Sequence, residues 1–152
     1  MSGSYVLDTS VLLHLVRGKD LGRQIDRAFG LRASMHRHIV SIVSEAELSV
    51  IADRKTWSSD KRSALRHALE NVVVLPVDGR ELIEAYVTIA RADFHAPGGS
   101  RNMGKNDLWI AATAFYVQLP LLTTDKDFCF LHPAPLNVMW IDPSGNQVQQ
   151  AT

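Results

Sequence analysis

The amino-acid sequence predicts an α/β fold of three layers, with helices on both faces of a central, mainly parallel sheet of four to five strands. Short apolar runs alternate along the chain with segments of helical periodicity, which is typical of strands joined by helical crossovers. Residues 72–75 are apolar at every position and are followed by Pro76, as expected for a central parallel strand buried on both faces. With 152 residues, 46% of them hydrophobic, the chain has the size of one ordinary domain.

The domain boundaries and the cellular compartment follow from composition. We assign residues 1–143 to a single domain and residues 144–152 to a polar, flexible tail. Cys129 is the only cysteine, which excludes an intramolecular disulfide and fits a reducing cytoplasm. The N terminus does not resemble a signal peptide, and no apolar run approaches the roughly 18 residues of a membrane span. We therefore expect a soluble, cytoplasmic protein without membrane contacts.

The net charge of zero hides a difference between the two halves of the chain. Residues 1–69 carry 11 Lys or Arg and 7 Asp or Glu, a balance of +4, whereas residues 70–152 carry 5 and 9, a balance of −4. This asymmetry is compatible with a basic face beside an acidic pocket, as a metal-dependent nuclease needs. Ordinary solvated helix faces give the same counts, so charge alone leaves both interpretations open.

The first half of the chain alternates strands with helices. Strands are predicted at residues 5–7 and 38–43. One helix is predicted to begin at Val11, and three further helices are predicted over residues 21–32, 44–52 and 60–71. Asp8 directly follows the first strand, at the edge where open α/β sheets bind ligands. Asp8 or Thr9 would also serve as an N-cap of the next helix. Position alone does not decide between a site residue and a cap.

A pair of acids opens the helix predicted over residues 44–52. Ser44 and Glu47 fit a capping box, in which a hydroxyl and a carboxylate satisfy the free N–H groups of the first turn. Glu45 competes with Glu47 as a site residue, because residues two apart diverge around a helix and only one of them faces a given pocket. Periodicity does not settle which acid that is.

The second half of the chain predicts strands at residues 72–75, 119–124 and 136–141, with a helix from Asp78 to Ile89. Residues 94–103 lack periodicity and contain adjacent glycines, which predicts a mobile loop. A helix then opens at the Asn106-Asp107 pair. On a 3.6-residue period Asp107 shares a face with small and apolar residues, namely Ile110, Ala111 and Ala114. Asp107 is therefore expected at the rim of the core.

Four acids occupy strand–helix junctions or early helical turns, namely Asp8, Glu47, Asp107 and Asp125. Clustered carboxylates repel one another and resist burial unless protons or cations compensate them. Ligand sets made only of oxygen favour Mg²⁺ or Mn²⁺. Such an ion activates water and neutralises the charge that develops during phosphodiester hydrolysis. The hypothesis is a metal-dependent phosphodiesterase in which these acids are both metal ligands and catalytic residues.

The order of these residues resembles the PIN-domain ribonucleases, and most closely the VapC-type toxins of VapBC toxin-antitoxin pairs. The resemblance covers most of the chain, from Tyr5 to Phe128. It is carried by Val6-Leu7-Asp8-Thr9-Ser10, Ser41-Ile42-Val43-Ser44-Glu45-Ala46-Glu47-Leu48, Asn106-Asp107-Leu108-Trp109-Ile110-Ala111-Ala112 and Leu122-Thr123-Thr124-Asp125-Lys126-Asp127-Phe128. In the family, the metal-site glutamate of the second motif is the one followed by leucine, so the resemblance selects Glu47 over Glu45.

The resemblance implies a metal-dependent endoribonuclease, the toxin of a type II toxin-antitoxin pair, with one or two Mg²⁺ or Mn²⁺ ions. Its partners would be an RNA substrate, a cognate antitoxin and a second copy of the chain in a homodimer. The four acids would hold metal. Supporting roles are implied for Thr9, Asn106, Thr123 and Asp127, and contacts to RNA phosphates for Arg101 and Lys105.

Two other kinds of PIN domain and one class of phosphatase share part of this pattern. A PIN-domain nuclease of RNA processing that is not a toxin would share every motif, and a non-catalytic RNA-binding or scaffold PIN domain typically lacks acids that this chain retains. Haloacid-dehalogenase-like phosphatases need a second Asp two positions after the first, where this chain has Ser10. The sequence does not name the RNA that is cleaved.

Overall fold

The computed structural model describes residues 3–144 and, for the backbone, residues 148–150. A six-stranded sheet with the order β3-β2-β1-β4-β5-β6 forms its centre. The strands are β1 Val6–Leu7, β2 Ile39–Ser41, β3 Val73–Leu75, β4 Leu121–Thr123, β5 Val138–Ile141 and β6 Val148–Gln150. Strands β1 to β5 pair in parallel, which confirms the predicted α/β fold with its mainly parallel sheet. Strand β3 lies at the edge of this sheet and Val73 is 46% exposed, so the prediction that residues 72–75 form a central strand is wrong.

Six α-helices connect and cover these strands in the described part of the chain. They are α1 Thr9–Arg17, α2 Asp20–Phe29, α3 Ile42–Arg54, α4 Ser59–Asn71, α5 Arg80–Phe94 and α6 Lys105–Val117. Two 3₁₀ helices cover Arg32–Arg37 and Lys126–Leu131. Among the residues described, no helix combines the length and the apolar character that crossing a membrane requires.

The sheet separates two hydrophobic cores, as a three-layer fold requires. Neighbouring residues of a strand point to opposite faces, so Val6 packs in one core and Leu7 in the other. The core on the Leu7 side includes residues of α1, α2, α3 and α4, and the core on the Val6 side includes residues of α5 and α6. Helix α2 lies so close to α1 that a Cβ on Gly22 would come within 2.2 Å of the His14 carbonyl oxygen. The single domain over residues 1–143 stays a prediction.

Strand β6 lies in the segment that the sequence predicts as a polar tail. Trp140 of β5 is the antiparallel partner of Gln149, although residues 144–152 carry no apolar alternation that would predict a strand. An antiparallel edge strand needs only a short connection and has no second strand partner. The backbone of residues 148–150 thus pairs with β5, and the flexible tail over residues 144–152 stays a prediction.

The start of α3 differs from the sequence prediction. Strand β2 ends at Ser41, and the helix begins at Ile42, two residues before the predicted start at Ser44. Ser41 is the N-cap, since its hydroxyl oxygen accepts a hydrogen bond of 3.2 Å from the N–H of Val43. The capping-box interpretation of Ser44 and Glu47 is therefore wrong, and both side chains have other partners.

The glycine-containing loop after α5 is tied to the body of the protein by Asp93. This carboxylate is buried and accepts hydrogen bonds from the backbone N–H of Arg101 at 3.0 Å and from the Ser100 hydroxyl at 3.3 Å. The loop leads into α6, whose predicted inner face is confirmed because Ile110, Ala111 and Ala114 are fully buried.

Candidate active site

The four predicted acids lie at one edge of the sheet, where its parallel strands end. Asp8 follows β1 and Asp125 comes two residues after the end of β4, and these two strands are direct neighbours. Glu47 lies on α3 and Asp107 in the first turn of α6, and these two helices pack against each other. The charges of the other three acids all act on Asp107. The sequence predicted each acid separately at a strand end or an early helical turn, and the structure places the four at the same edge of the sheet.

Asp8 is the most constrained of the four acids. Only 4% of its surface is exposed, and its Oδ2 accepts hydrogen bonds of 2.8 Å from the hydroxyls of both Ser10 and Thr123. Its Oδ1 accepts a bond of 2.8 Å from the N–H of Thr9, so Asp8 is also the N-cap of α1. Burial raises the pKa of Asp8, and these hydrogen bonds oppose the rise because they stabilise the carboxylate. The two interpretations of Asp8 are thus compatible.

Thr123 links Asp8 to Asp125. Its hydroxyl donates to Asp8 and accepts a hydrogen bond of 2.9 Å from the N–H of Asp125. Ser10 makes a parallel link, since its oxygen accepts a bond of 3.2 Å from the N–H of Thr124. The predicted supporting position of Thr123 therefore has a structural basis: the two hydroxyls hold the ends of β1 and β4 together.

Glu47 is held by Thr9, the second predicted supporting residue. The Thr9 hydroxyl lies 2.8 Å from Glu47 Oε1 and 2.8 Å from the Ser44 oxygen. A hydroxyl has one proton to donate, so it donates to the carboxylate and accepts from the Ser44 hydroxyl. Helices α1 and α3 are thereby joined beside the acids.

Glu45 points elsewhere. It lines a groove between α3 and α4 together with Asp53, Arg62 and Val74, whereas Glu47 lines a surface groove that also contains Asn106. Because α6 carries both Asn106 and Asp107, Glu47 is the glutamate of α3 that faces the other acids. The geometry favours the same glutamate that the family resemblance selects.

Asp107 is the acid whose ionisation the cluster changes most visibly. Desolvation, followed by the charges of Asp8, Asp125, Glu47 and Asp127, raises its pKa to about 6. The Oδ1 of Asp125 accepts a hydrogen bond of 2.9 Å from the N–H of Asp127, so Asp125 also caps the following 3₁₀ helix. Asp127 is exposed and contributes to the negative field at Asp107.

The remaining predicted residues lie on the surface around this edge. Asn106 and Lys105 are exposed in the first turn of α6. The guanidinium of Arg101 lies 5.8 Å from the centre of the Phe130 ring and donates a hydrogen bond of 3.5 Å to the Pro97 carbonyl. The roles of these three residues toward RNA stay predictions.

Two site residues escaped the sequence analysis. Ser10 holds Asp8, and Ser44 holds Thr9, which in turn holds Glu47. The available signal was position, because both serines stand two or three residues from a predicted metal ligand within the same motif. In the sequence patterns, Ser10 stands out only as a departure from the phosphatase motif, and Ser44 only as a possible helix cap.

The chemistry of the donor groups fits a hard divalent cation. As they stand, no three Asp, Glu, His or Cys side chains within residues 3–144 are arranged to hold a metal ion together. The acids nevertheless supply only oxygen donors, and their mutual repulsion at Asp107 is what a bound cation would relieve. Binding would require at least one of the carboxylates to move toward the ion.

The raised pKa of Asp107 predicts how stability depends on pH when a chelator is present. Between the unperturbed value of 3.8 and about 6, the folded state binds more protons than the unfolded state, so unfolding free energy falls as pH rises through this window. Asp107 is partly exposed to solvent, and discounting for screening leaves an expected loss of about 1–2 kcal/mol. Chemical denaturation at several pH values tests this, with Asp107→Asn as the variant in which the loss is smaller. Equal pH dependence in both proteins would contradict the prediction.

Comparisons with known proteins agree with this geometry. Residues 5–131 match the PIN domain family. The chain is 35% identical to Ribonuclease VapC5 of Mycobacterium tuberculosis (strain ATCC 25618 / H37Rv) over 131 residues, which is 85% of this chain and 88% of the relative.

Solved structures resemble the fold over nearly its full length. The crystal structure of VapBC-5 from Mycobacterium tuberculosis, a member of the VapBC family of toxin-antitoxin systems, matches 91% of this chain and 99% of that chain, with 28% identity and a TM-score of 0.62. VapBC2 from Rickettsia felis, bound to a DNA fragment from its promoter, matches 89% of this chain and 98% of that chain, with 19% identity and a TM-score of 0.68. At that identity, the second likeness concerns the fold alone.

Proposed function

The chain belongs to the PIN-domain family, and from that premise we propose that it is an endoribonuclease that hydrolyses RNA phosphodiester bonds with the help of Mg²⁺ or Mn²⁺. The observation that carries this proposal is the convergence of Asp8, Glu47 and Asp125 on Asp107 at the carboxyl edge of the parallel sheet. Open α/β sheets bind ligands at this edge. The identity with a ribonuclease over most of the chain supports RNA as the substrate.

The four carboxylates would hold one or two divalent ions, which when bound lower the pKa of a coordinated water and neutralise developing charge. The chain's own residues prepare the site for this. Thr123 and Ser10 fix the orientation of the Asp8 carboxylate, and Thr9 fixes that of Glu47. Side chains fixed in advance do not have to reorganise when charge develops, and this is a major source of catalysis.

Further residues at the rim would position the substrate. We assign Asn106 and Asp127 supporting roles beside the acids, and Arg101 and Lys105 contacts to RNA phosphates. Lys105 and Asn106 are exposed in the same helical turn as Asp107, so they can reach a substrate that lies over the acids. Arg101 ends the loop that Asp93 fixes in place.

The biological role that we propose is that of the toxin in a type II toxin-antitoxin pair. The VapBC-5 structure comes from a member of the VapBC family of such systems, and it matches 91% of the length of this chain. The proposed partners are a cognate antitoxin and a second copy of the chain, and the proposed location is the cytoplasm, where RNA is available. Growth arrest upon expression, relieved by the protein encoded in a neighbouring reading frame, is the expected result. Normal growth would favour an RNA-processing nuclease.

The two glutamates of α3 provide a matched test of the proposed site. Glu47→Gln is expected to reduce Mn²⁺-dependent cleavage of a labelled RNA about 10²-fold, because it removes a negative charge from the cluster. Glu45→Gln makes the same chemical change two residues away and should stay within about twofold of wild type, since Glu45 faces another groove. Equal losses in the two variants, or a loss only in Glu45→Gln, would refute the assignment of Glu47.

A further inference from the structure

A groove of about 430 Å³ leads away from the candidate active site along α3. Glu47 and Asn106 line it, as does Arg54 at the last position of the helix. Its floor is apolar and includes Val50, which is 47% exposed, and Ile51. The groove therefore runs from Glu47 to Arg54, and the aliphatic side chains between them offer no hydrogen bonds to a ligand.

The dimensions of the groove follow from helix geometry. Glu47 and Arg54 are seven residues apart in α3, which is two helical turns, so they lie on the same face with roughly 10.5 Å between them along the axis. A nucleic-acid strand advances about 3.4 Å per nucleotide when its bases are stacked. The groove thus matches a short stretch of about three nucleotides.

Arg54 is available for an anionic ligand. It is exposed, and the ion pairs found within residues 3–144 involve other arginines. The adjacent carboxylate of Asp53 is engaged by Arg62, with 3.3 Å between Nη1 and Oδ1. The positive charge of Arg54 is therefore uncompensated within the described part of the protein.

A second group of cations lies beyond Arg54, where α1 and α3 end and α4 begins. We call it the distal basic cluster and define it as Arg17, Lys19, Lys55 and Lys61. The Lys61 ammonium is 4.3 Å from the centre of the Trp57 ring, which holds it in place. Desolvation and then the charges of the other three members lower the pKa of Lys61, as expected of cations close together.

Few acids oppose this cluster in the described part of the protein. Asp20 is paired with Arg23 and Asp53 with Arg62. Asp60 is the remaining acid of these turns and adjoins Lys61 in the first turn of α4. The net charge of this region is therefore positive. The excess of basic residues in the first half of the sequence forms a basic surface at one end of the groove that leads from the acids.

We propose that the α3 groove and the distal basic cluster form a track for single-stranded RNA, in which Arg54 binds a phosphate about three nucleotides away from the acids and the cluster binds phosphates further along. This inference rests on the proposed function, since it concerns the RNA that the acids would cleave. The exposed aliphatic floor offers van der Waals contact to the faces of unpaired bases, which a duplex would hide. RNA is favoured over an acidic peptide because the track begins at the acids, where the substrate has to lie.

The test measures RNA binding separately from cleavage. Fluorescence anisotropy with an unstructured 12-nucleotide RNA in chelator, between 50 and 300 mM salt, gives the affinity and its salt slope. Each lost phosphate contact to a single strand reduces the slope by about 0.7. Arg54→Gln is expected to reduce it by that amount and to weaken binding about 3–10-fold at low salt. Combining this change with Lys55→Gln and Lys61→Gln should reduce the slope by about 2 in total.

Arg91→Gln is the matched control, because Arg91 is an exposed arginine of α5, which packs on the opposite face of the sheet. It should bind RNA as wild type does. Track variants that bind RNA as the control does would overturn the inference, and a loss of self-association or of antitoxin binding without a loss of RNA binding would assign the surface to a protein.

Cleavage of the same RNA by the wild type in Mn²⁺ is measured in a separate assay from binding. If the wild type cleaves RNA but the track variants bind it normally, the track is wrong and the proposed function stands. If the wild type does not cleave but the track variants lose RNA binding, the track stands and the proposed function is wrong.

Discussion

Asp107→Asn is expected to lower the rate of RNA cleavage in Mn²⁺ by about 10²–10³-fold. The amide has nearly the shape of the carboxylate but lacks its charge, so the change removes a metal ligand from the centre of the cluster while leaving the start of α6 intact. Loss of one fixed electrostatic group in an active site typically costs this much, about 2.7–4 kcal/mol of transition-state stabilisation. The measurement is the single-turnover rate with a labelled RNA at saturating Mn²⁺.

The control for this experiment is Asp142→Asn, which neutralises a partly exposed acid whose carboxylate accepts hydrogen bonds from Ser144, including one of 2.9 Å from its N–H. Its rate should be that of wild type. A rate for Asp107→Asn within about threefold of wild type would show that Asp107 is no metal ligand and that its raised pKa has only a structural origin.

Mn²⁺ is expected to stabilise the wild type far more than Asp107→Asn. At a concentration 100 times the dissociation constant, a ligand that binds only the folded state adds about 2.7 kcal/mol to the unfolding free energy. For a domain of this size that is a rise of about 5–10 °C in Tm. Asp107→Asn loses a ligand and should show less than a third of this rise.

The same variant has an opposite expectation in chelator at pH 7. Desolvation and four neighbouring acids disfavour the charged form of Asp107, so removing that charge should leave Tm unchanged or higher. Melting curves of wild type and Asp107→Asn, each with Mn²⁺ and with chelator, provide the four Tm values that are compared. If Asp107→Asn is instead destabilised by several kcal/mol in chelator, Asp107 is mainly a structural residue of α6.

Much of this fold could be predicted from the alternation of apolar runs with helical periodicity, although residues 72–75 form an edge strand with Val73 46% exposed and not the strand buried on both faces that their composition predicted. Residues 72–75 and the alternation of strands with helices predicted the parallel sheet, and the small residues that follow Asp107 predicted the inner face of α6. Strand β6 was missed because Val148–Gln150 is a polar edge strand whose pairing with β5 depends on tertiary position.

The candidate site shows where periodicity stops being informative. It could not choose between Glu45 and Glu47, because that choice depends on the direction in which α3 faces after β2. The start of α3 was predicted two residues too late because Ser41 and Ser44 are both good N-cap residues. In the structure Ser41 has the extended backbone of an N-cap, and its hydroxyl accepts the hydrogen bond from Val43. This freed Ser44 to bind Thr9, a contact between residues 35 positions apart that no local pattern contains.

The central claim is that Asp8, Glu47, Asp107 and Asp125 form one divalent-cation site for RNA hydrolysis. The most direct measurement is cleavage of a labelled RNA by metal-free wild-type protein before and after addition of Mn²⁺, with Asp8→Asn in parallel. We expect no cleavage in chelator, full cleavage when Mn²⁺ is added, and almost none by Asp8→Asn under either condition. Cleavage that is the same in chelator as in Mn²⁺, or the same for Asp8→Asn as for wild type, would contradict it.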